Sequence, residues 1–214
     1  MKVLVAGILL AGVALPLHGN KGEEPLRLRV FMYNYAETSQ SLVDRARRET
    51  SMIFRRAGVE IEWVQCTLSM RNAPQQLCSM RRGPANLELR LLPRRMAGRM
   101  RLGSNAAGFA LQPLDGVPGV LANVFPDHAA DLATNSGLDR GVMLGHLIAH
   151  ELGHLLLGIG SHSTGGMMAA PWGRRELSWA MKGCLTFSRP EAEKIRSRLL
   201  LRSAGMGTPN AAIR

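Results

Sequence analysis

Aromatic residues are scarce in this chain, 5% of its 214 positions. That scarcity leaves no interleaved stacking platform for bases, so a dedicated nucleic-acid site is not expected. Acidic residues are also few, 16 Asp plus Glu against 27 Lys plus Arg, for a net charge of +11. Arginines gather in Met80–Gly83 and Pro93–Gly103. They read as a solvated basic face that attracts polyanions or an acidic cell envelope without sequence specificity. There is no internal repeat and no linker rich enough in Gly, Pro or Ser to split the chain, and its length suits one domain with its own core. Cysteine is limited to Cys66, Cys78 and Cys184.

One long apolar run is present, and it lies at the N-terminus. Residues 1–19, MKVLVAGILLAGVALPLHG, carry one Lys and an apolar stretch from Val3 to Leu17. This is the n-region, h-region and cleavage pattern of a secretory signal peptide, and about 15 apolar residues fall short of the roughly 20 that a bilayer span needs. No other stretch is apolar enough to span. The expected mature protein is exported, secreted or periplasmic, with no membrane span after cleavage; an uncleaved N-terminal anchor is the alternative. It would comprise a domain over 20–202 and a flexible tail over 203–214. In an oxidising compartment Cys66 and Cys78 can close a loop across TLSMRNAPQQL, leaving Cys184 over; all three as small buried hydrophobes is the alternative.

Periodicity supplies the elements. Leu26–Ala36 and Val59–Cys66 alternate as strands, and Ser39–Gly58 between them is amphipathic at helical spacing and ends on Gly. This β-α-β opening implies two parallel neighbouring strands. Asn86–Leu92, AGFALQP and GVLANVFPDHA follow as third, fourth and fifth strands, the last two separated by the turn signal LDGVPG. Ser136 is a candidate N-cap for a central apolar helix over about Gly137–Leu157, closed by Gly158. RRELSWAM and SRPEAEKIRSRLLL read as C-terminal helices, the second with a Ser188–Glu191 capping box and Pro190 in its first turn.

The central helix raises a chemical question. Between Gly141 and Gly173 the one formally charged residue is Glu151, and it lies among His146, His150, His154 and His162. An unpaired carboxylate in apolar surroundings costs several kcal/mol, on the order of 3 or more, and neutral imidazoles still need partners. A divalent cation answers all of these needs. His150 and His154 are four apart and project from one helix face, whereas Leu144, Ile148, Leu152 and Leu155 fall on another. Glu151 is rotated off the ion and stands beside it. This is H-E-x-x-H, two zinc-binding His with a Glu as general base. A catalytic site needs a third protein ligand. His162 is the best candidate, brought back by a turn in GIGSH that Gly160 permits. His146, one step of four before His150, and Glu176 in RRELSW compete for that place. His128 is more readily a rim residue facing substrate.

With H-E-x-x-H on a helix, a turning Gly, a third His and then a Gly-Met turn, the segment Ala149–Trp172 resembles the metzincin zinc metallopeptidases. HELGHLLLG followed by HS and G-x-M further resembles a set of small exported bacterial proteins known as predicted metallopeptidases. The usual spacing is H-E-x-x-H-x-x-G-x-x-H; here the Gly comes one position later and the turn is two residues longer. The resemblance implies an α/β, zincin-like fold: a twisted mixed sheet of about five strands packed on an N-terminal helix and the central active-site helix, with a smaller helical C-terminal part. It implies one Zn2+ on His150, His154 and His162, with Met168 as the Met-turn floor beneath them and Met167 where an aliphatic residue often stands. Ala170 occupies the place of a Tyr found in some relatives. The implied activity is zinc-dependent endopeptidase hydrolysis of peptides or proteins, with Glu151 as base. Substrate would lie along an edge strand, for which chain order offers Gly119–Phe125 with Ala122 and Asn123. The alternative is a non-catalytic, zinc-stabilised or envelope-binding module on the same scaffold.

Overall fold

The strands carry most of the sheet's interior in a short alternating code. In the computed structural model, residues 25–66, 78, 85–102, 106–113 and 118–205 are described. β1 (Leu26–Asn34) buries Leu28, Val30 and Met32, and β3 (Asn86–Leu91) buries Leu87, Leu89 and Leu91. Between β1 and β2 (Val59–Cys66) runs α1 (Gln40–Arg56), whose Val43, Ala46, Ile53 and Phe54 enter the same core. β1 and β2 are parallel from Leu26↔Val59 to Tyr33↔Cys66, as a β-α-β unit requires. β1 is also parallel to β3, from Arg29↔Asn86 to Asn34↔Leu91. A short helix, α2 (Arg95–Arg99), then leads to β4 (Gly108–Leu111) and β5 (Leu121–Val124).

The strand order is β2-β1-β3-β5-β4, with β5 parallel to β3 and antiparallel to β4. The fold is therefore mixed α/β, with a five-stranded, mostly parallel sheet and six helices among the described residues. This corrects the expected edge. β5 is flanked on both sides, and its Ala122 and Asn123 are 0% and 2% exposed. The apolar run LANV suits a strand with neighbours on either hand. The edge falls instead to β4, whose residues are half-buried or exposed along their whole length.

A second correction concerns the stretch after β5. Residues expected to prolong that strand and a loop form α3 (Pro126–Ser136), with Pro at the first turn and Gly137 as a left-handed cap at φ 72° and ψ 14°. Ser136 is therefore not the N-cap of the central helix; its hydroxyl donates back to the Leu132 carbonyl at 2.7 Å. Asp139 takes that role, its carboxylate accepting the Val142 N–H at 3.0 Å, and the central helix α4 runs Arg140–Leu157. α5 (Arg174–Met181) and α6 (Arg189–Ser203) complete the chain. α6 starts on the Ser188–Glu191 capping box and takes in Ser203, a residue expected in the tail. Residues 1–19 and 206–214 lie outside the described residues. Among those described, no helix is long and apolar enough to cross a membrane. Cys66 and Cys78 form a disulfide, and Cys184 is an exposed free thiol.

α4 is buried on nearly every side because α1 crosses it closely. A Cβ at Gly145 would stand 2.6 Å from Glu49 Cβ and 2.8 Å from the Ala46 carbonyl oxygen. Thr50 bridges the same crossing, its hydroxyl 2.9 Å from both the Ala46 and the Gly145 carbonyls. Gly145→Ala gains about 1 kcal/mol of helix propensity but forces these backbones apart at a cost of up to about 3 kcal/mol. The overpacking wins, so a net destabilisation of about 1–2 kcal/mol is expected in urea unfolding. Equal or greater stability in the variant would show that the two helices have slack.

Candidate metal centre

Two of the three candidate ligands come from helix geometry and the third from a turn. His150 and His154 share a face of α4, and the helix stops at Gly158, which has φ 89° and sends its N–H to the His154 carbonyl. Gly158 and Gly160, at φ 89° and 70°, hold backbone conformations that side chains disfavour, and they let the chain double back. His162 then returns to the helix face. One ligand atom from each of the three imidazoles lies within 4.8 Å of the others, and together they could hold a metal ion. Exposure grades from buried His150 through half-buried His154 to exposed His162, so the cluster has one open side.

The ring nitrogens away from the cluster are fixed. His150 Nδ1 donates to the Met167 carbonyl at 2.8 Å. A carbonyl can only accept, so in the neutral ring the proton sits on Nδ1 and the Nε2 lone pair faces the cluster. Trp172 Nε1 donates to the same carbonyl at 3.1 Å, and its ring stands edge-on to His150. His154 Nδ1 is 2.8 Å from the Ser161 hydroxyl, and His154 Nε2 is 3.0 Å from His150 Nε2. Burial lowers the His150 pKa, against the Met167 bond that raises it. Burial, with His150 and His162 nearby, lowers that of His154 to about 4. Neutral imidazoles with convergent lone pairs are the form a divalent cation binds. The donor set, three nitrogens with an open side and a second shell of carbonyl and hydroxyl, fits such an ion.

Glu151 stands next to this cluster with its carboxylate under β4. It is 6% exposed, its Oε2 has no hydrogen-bond partner among the described residues, and burial pushes its pKa up to about 8. Room for it depends on Gly108 of β4. A Cβ there would lie 2.8 Å from Glu151 Cγ and 2.9 Å from Oε1. Gln112, just past β4, donates its amide to the His154 carbonyl. These residues line a cleft of about 990 Å3 that also takes in Phe109, His128, Leu132, Trp172 and the three His.

The other candidates separate cleanly. His146 is fully buried, with Nδ1 on the Val142 carbonyl at 2.9 Å and Nε2 3.8 Å from Glu49 Oε1, so it faces α1 and lies outside the cluster. Glu176 caps its own helix, accepting the Gly173 N–H at 3.1 Å and the Arg175 Nε–H at 2.9 Å. Burial raises its pKa, yet Arg175, its own N–H and that of Gly173 outweigh this and hold it below the usual carboxylate value. Both of its oxygens are engaged away from the histidine cluster. His128 sits in the first turn of α3 with Nδ1 on the Ala106 carbonyl and lines the cleft, on the rim as expected though on a helix and not at a strand end. Met168 is fully buried with Sδ against Gly153, where a Cβ would come within 2.7 Å. Ala122 and Asn123 lie inside the sheet and off the cleft lining. Sequence reasoning missed Gly108, Trp172 and the Met167 carbonyl. A lone Gly in a strand pattern signals close approach, but a main-chain acceptor leaves no mark in a sequence.

No protein-family model and no curated protein matches the chain. Among solved structures it is similar to the solution structure of TM1509 from Thermotoga maritima, at 10% identity and a TM-score of 0.34, over 87% of this chain and 99% of that one. A likeness that slight carries no assignment.

Proposed function

We propose that the chain is a zinc-dependent endopeptidase of the metzincin kind. The observation that carries this reading is a cluster of three imidazoles with an open side, beside a buried carboxylate that has an unpartnered oxygen and faces the same cleft. A purely structural zinc site would be closed by a fourth protein ligand and would have no use for that carboxylate. His150, His154 and His162 hold one zinc, and Met168 supports the helix behind them. Zinc bound there would lower the pKa of its water to about 7 and polarise the scissile carbonyl. Glu151 accepts the water proton and returns it to the leaving amine, so no covalent intermediate is needed. The substrate main chain pairs with the free edge of β4, in place of the β5 edge expected from chain order. The Cys66–Cys78 disulfide is consistent with export to an oxidising compartment.

Zinc content by elemental analysis tests the ligand set. His162→Ala should bind zinc at least about 100-fold more weakly, since disturbing even a second-shell partner costs 10- to 100-fold. Glu176→Ala should keep its zinc. Full retention in His162→Ala would remove the third ligand. Normal zinc content without hydrolysis of casein or any other protein would favour the non-catalytic module.

A further inference from the structure

One face of α3 lines the same cleft as the turn after the central helix. His128, Asp131, Leu132 and Asn135, at spacings of three and four, all line the cleft. Ala129 and Ala133, each 1% exposed, turn the other way into the core. An eleven-residue helix therefore presents its outer face to the cleft that the three imidazoles also line. That face is held in place. Asp127 accepts the Arg94 N–H at 3.1 Å, Arg94 pairs with Asp131, and His128 Nδ1 is tied to the Ala106 carbonyl.

The charges on the wall are matched to each other, Arg94 with Asp131. What stays unmatched is Leu132, a large apolar side chain 38% exposed on a helix whose other outward residues are polar. The same cleft has further apolar lining in Leu147 from α4, Leu177 from α5 and Trp172. Exposed apolar surface inside a concave site marks where a ligand's own apolar surface is buried.

We infer that α3 is the specificity wall of this cleft, and that Leu132 selects substrates bearing a long apolar side chain, such as Leu, Met or Phe, over small or charged ones. The inference rests on the peptidase reading above and adds to it the class of residue that is read. A rigid wall discriminates because a charged or short side chain leaves Leu132 and Leu147 wet or strips a charge of water without offering a partner.

The test uses zinc-loaded full chain and short peptidyl hydroxamates, identical but for one side chain, Ala, Leu, Phe or Glu, with affinities measured by calorimetry. In the wild type the Leu and Phe probes should bind about 10-fold or more tighter than Ala, with Glu weakest. In Leu132→Gln the Leu-to-Ala ratio should fall to about 2-fold, whereas Leu132→Met, which keeps volume and polarity, should preserve it. Leu132 is partly exposed and Gln is a good helix former, so the variant should fold. An unchanged ratio in Leu132→Gln, or hydroxamates that bind the wild type without side-chain preference, would overturn the inference and leave the peptidase reading standing. Hydroxamates that fail to bind zinc-loaded wild type would overturn both, because the ion would then not face the cleft.

Discussion

Glu151→Gln should lower hydrolysis of a protein substrate by about 1,000-fold, the range a positioned general base supplies, while zinc content stays unchanged. Gln has nearly the same shape, so it fits under Gly108 where any extra atom would clash with the side chain. What it loses is the capacity to take a proton from water. Glu151 is also set apart from the candidate ligand cluster, so replacing its carboxyl by an amide should leave the three imidazoles free to hold the ion. The measurement is casein hydrolysis beside elemental zinc on the same preparation. Activity within about 10-fold of wild type would mean that another group serves as base. Loss of zinc together with activity would mean that the carboxylate holds the ion.

In the metal-free protein Glu151 should contribute less and less stability as pH rises from about 4.5 to 8, and Glu151→Gln should abolish that component of the pH dependence. Glu151 has a folded pKa of about 8, raised by burial above its ordinary 4.5. A group whose pKa is raised on folding contributes fully below its unfolded pKa and loses that contribution as pH climbs through the folded one. At about 1.4 kcal/mol per pKa unit the effect amounts to a few kcal/mol, and with 6% exposure little of it is screened away. His154 works in the other direction. Its pKa falls on folding from 6.5 to about 4, so its contribution is present above 6.5 and is lost as pH drops towards 4. Urea unfolding of chelator-treated protein at pH 4.5, 6.5 and 8 separates the two. The gap between Glu151→Gln and wild type should open from near zero to a few kcal/mol across that series. A gap that does not change with pH would mean that the carboxylate is solvated in the folded chain.

Much of this site was legible because helical spacing is rigid. A spacing of four from His150 to His154 puts both rings on one face, and glycines after Leu157 announced a turn that could return His162. The opening β1-α1-β2 was legible for the same reason, since Leu28, Val30 and Met32 alternate and Val43, Ala46, Ile53 and Phe54 recur at helical intervals. α3 was harder to see. Its buried face is two alanines, too faint to stand out in PDHAADLATNS, although Pro126 and Gly137 bracket it as a helix start and stop. The place of β5 inside the sheet was not legible at all. Chain order does not give spatial order, and a four-residue antiparallel strand preceding β5 was enough to move the edge. The anchoring of His150 by the Met167 carbonyl was equally hidden, because every residue carries such an oxygen.

His154 and His162 are eight positions apart, and His150 and His154 only four. Closing so short a loop costs a flexible chain little entropy. An unfolded chain therefore keeps a share of the affinity for the ion, and whatever it binds is subtracted from the stabilisation that binding confers on the native state. The ion would steady this fold by less than its affinity implies, leaving the sheet, the disulfide and the α1–α4 crossing to hold the molecule together.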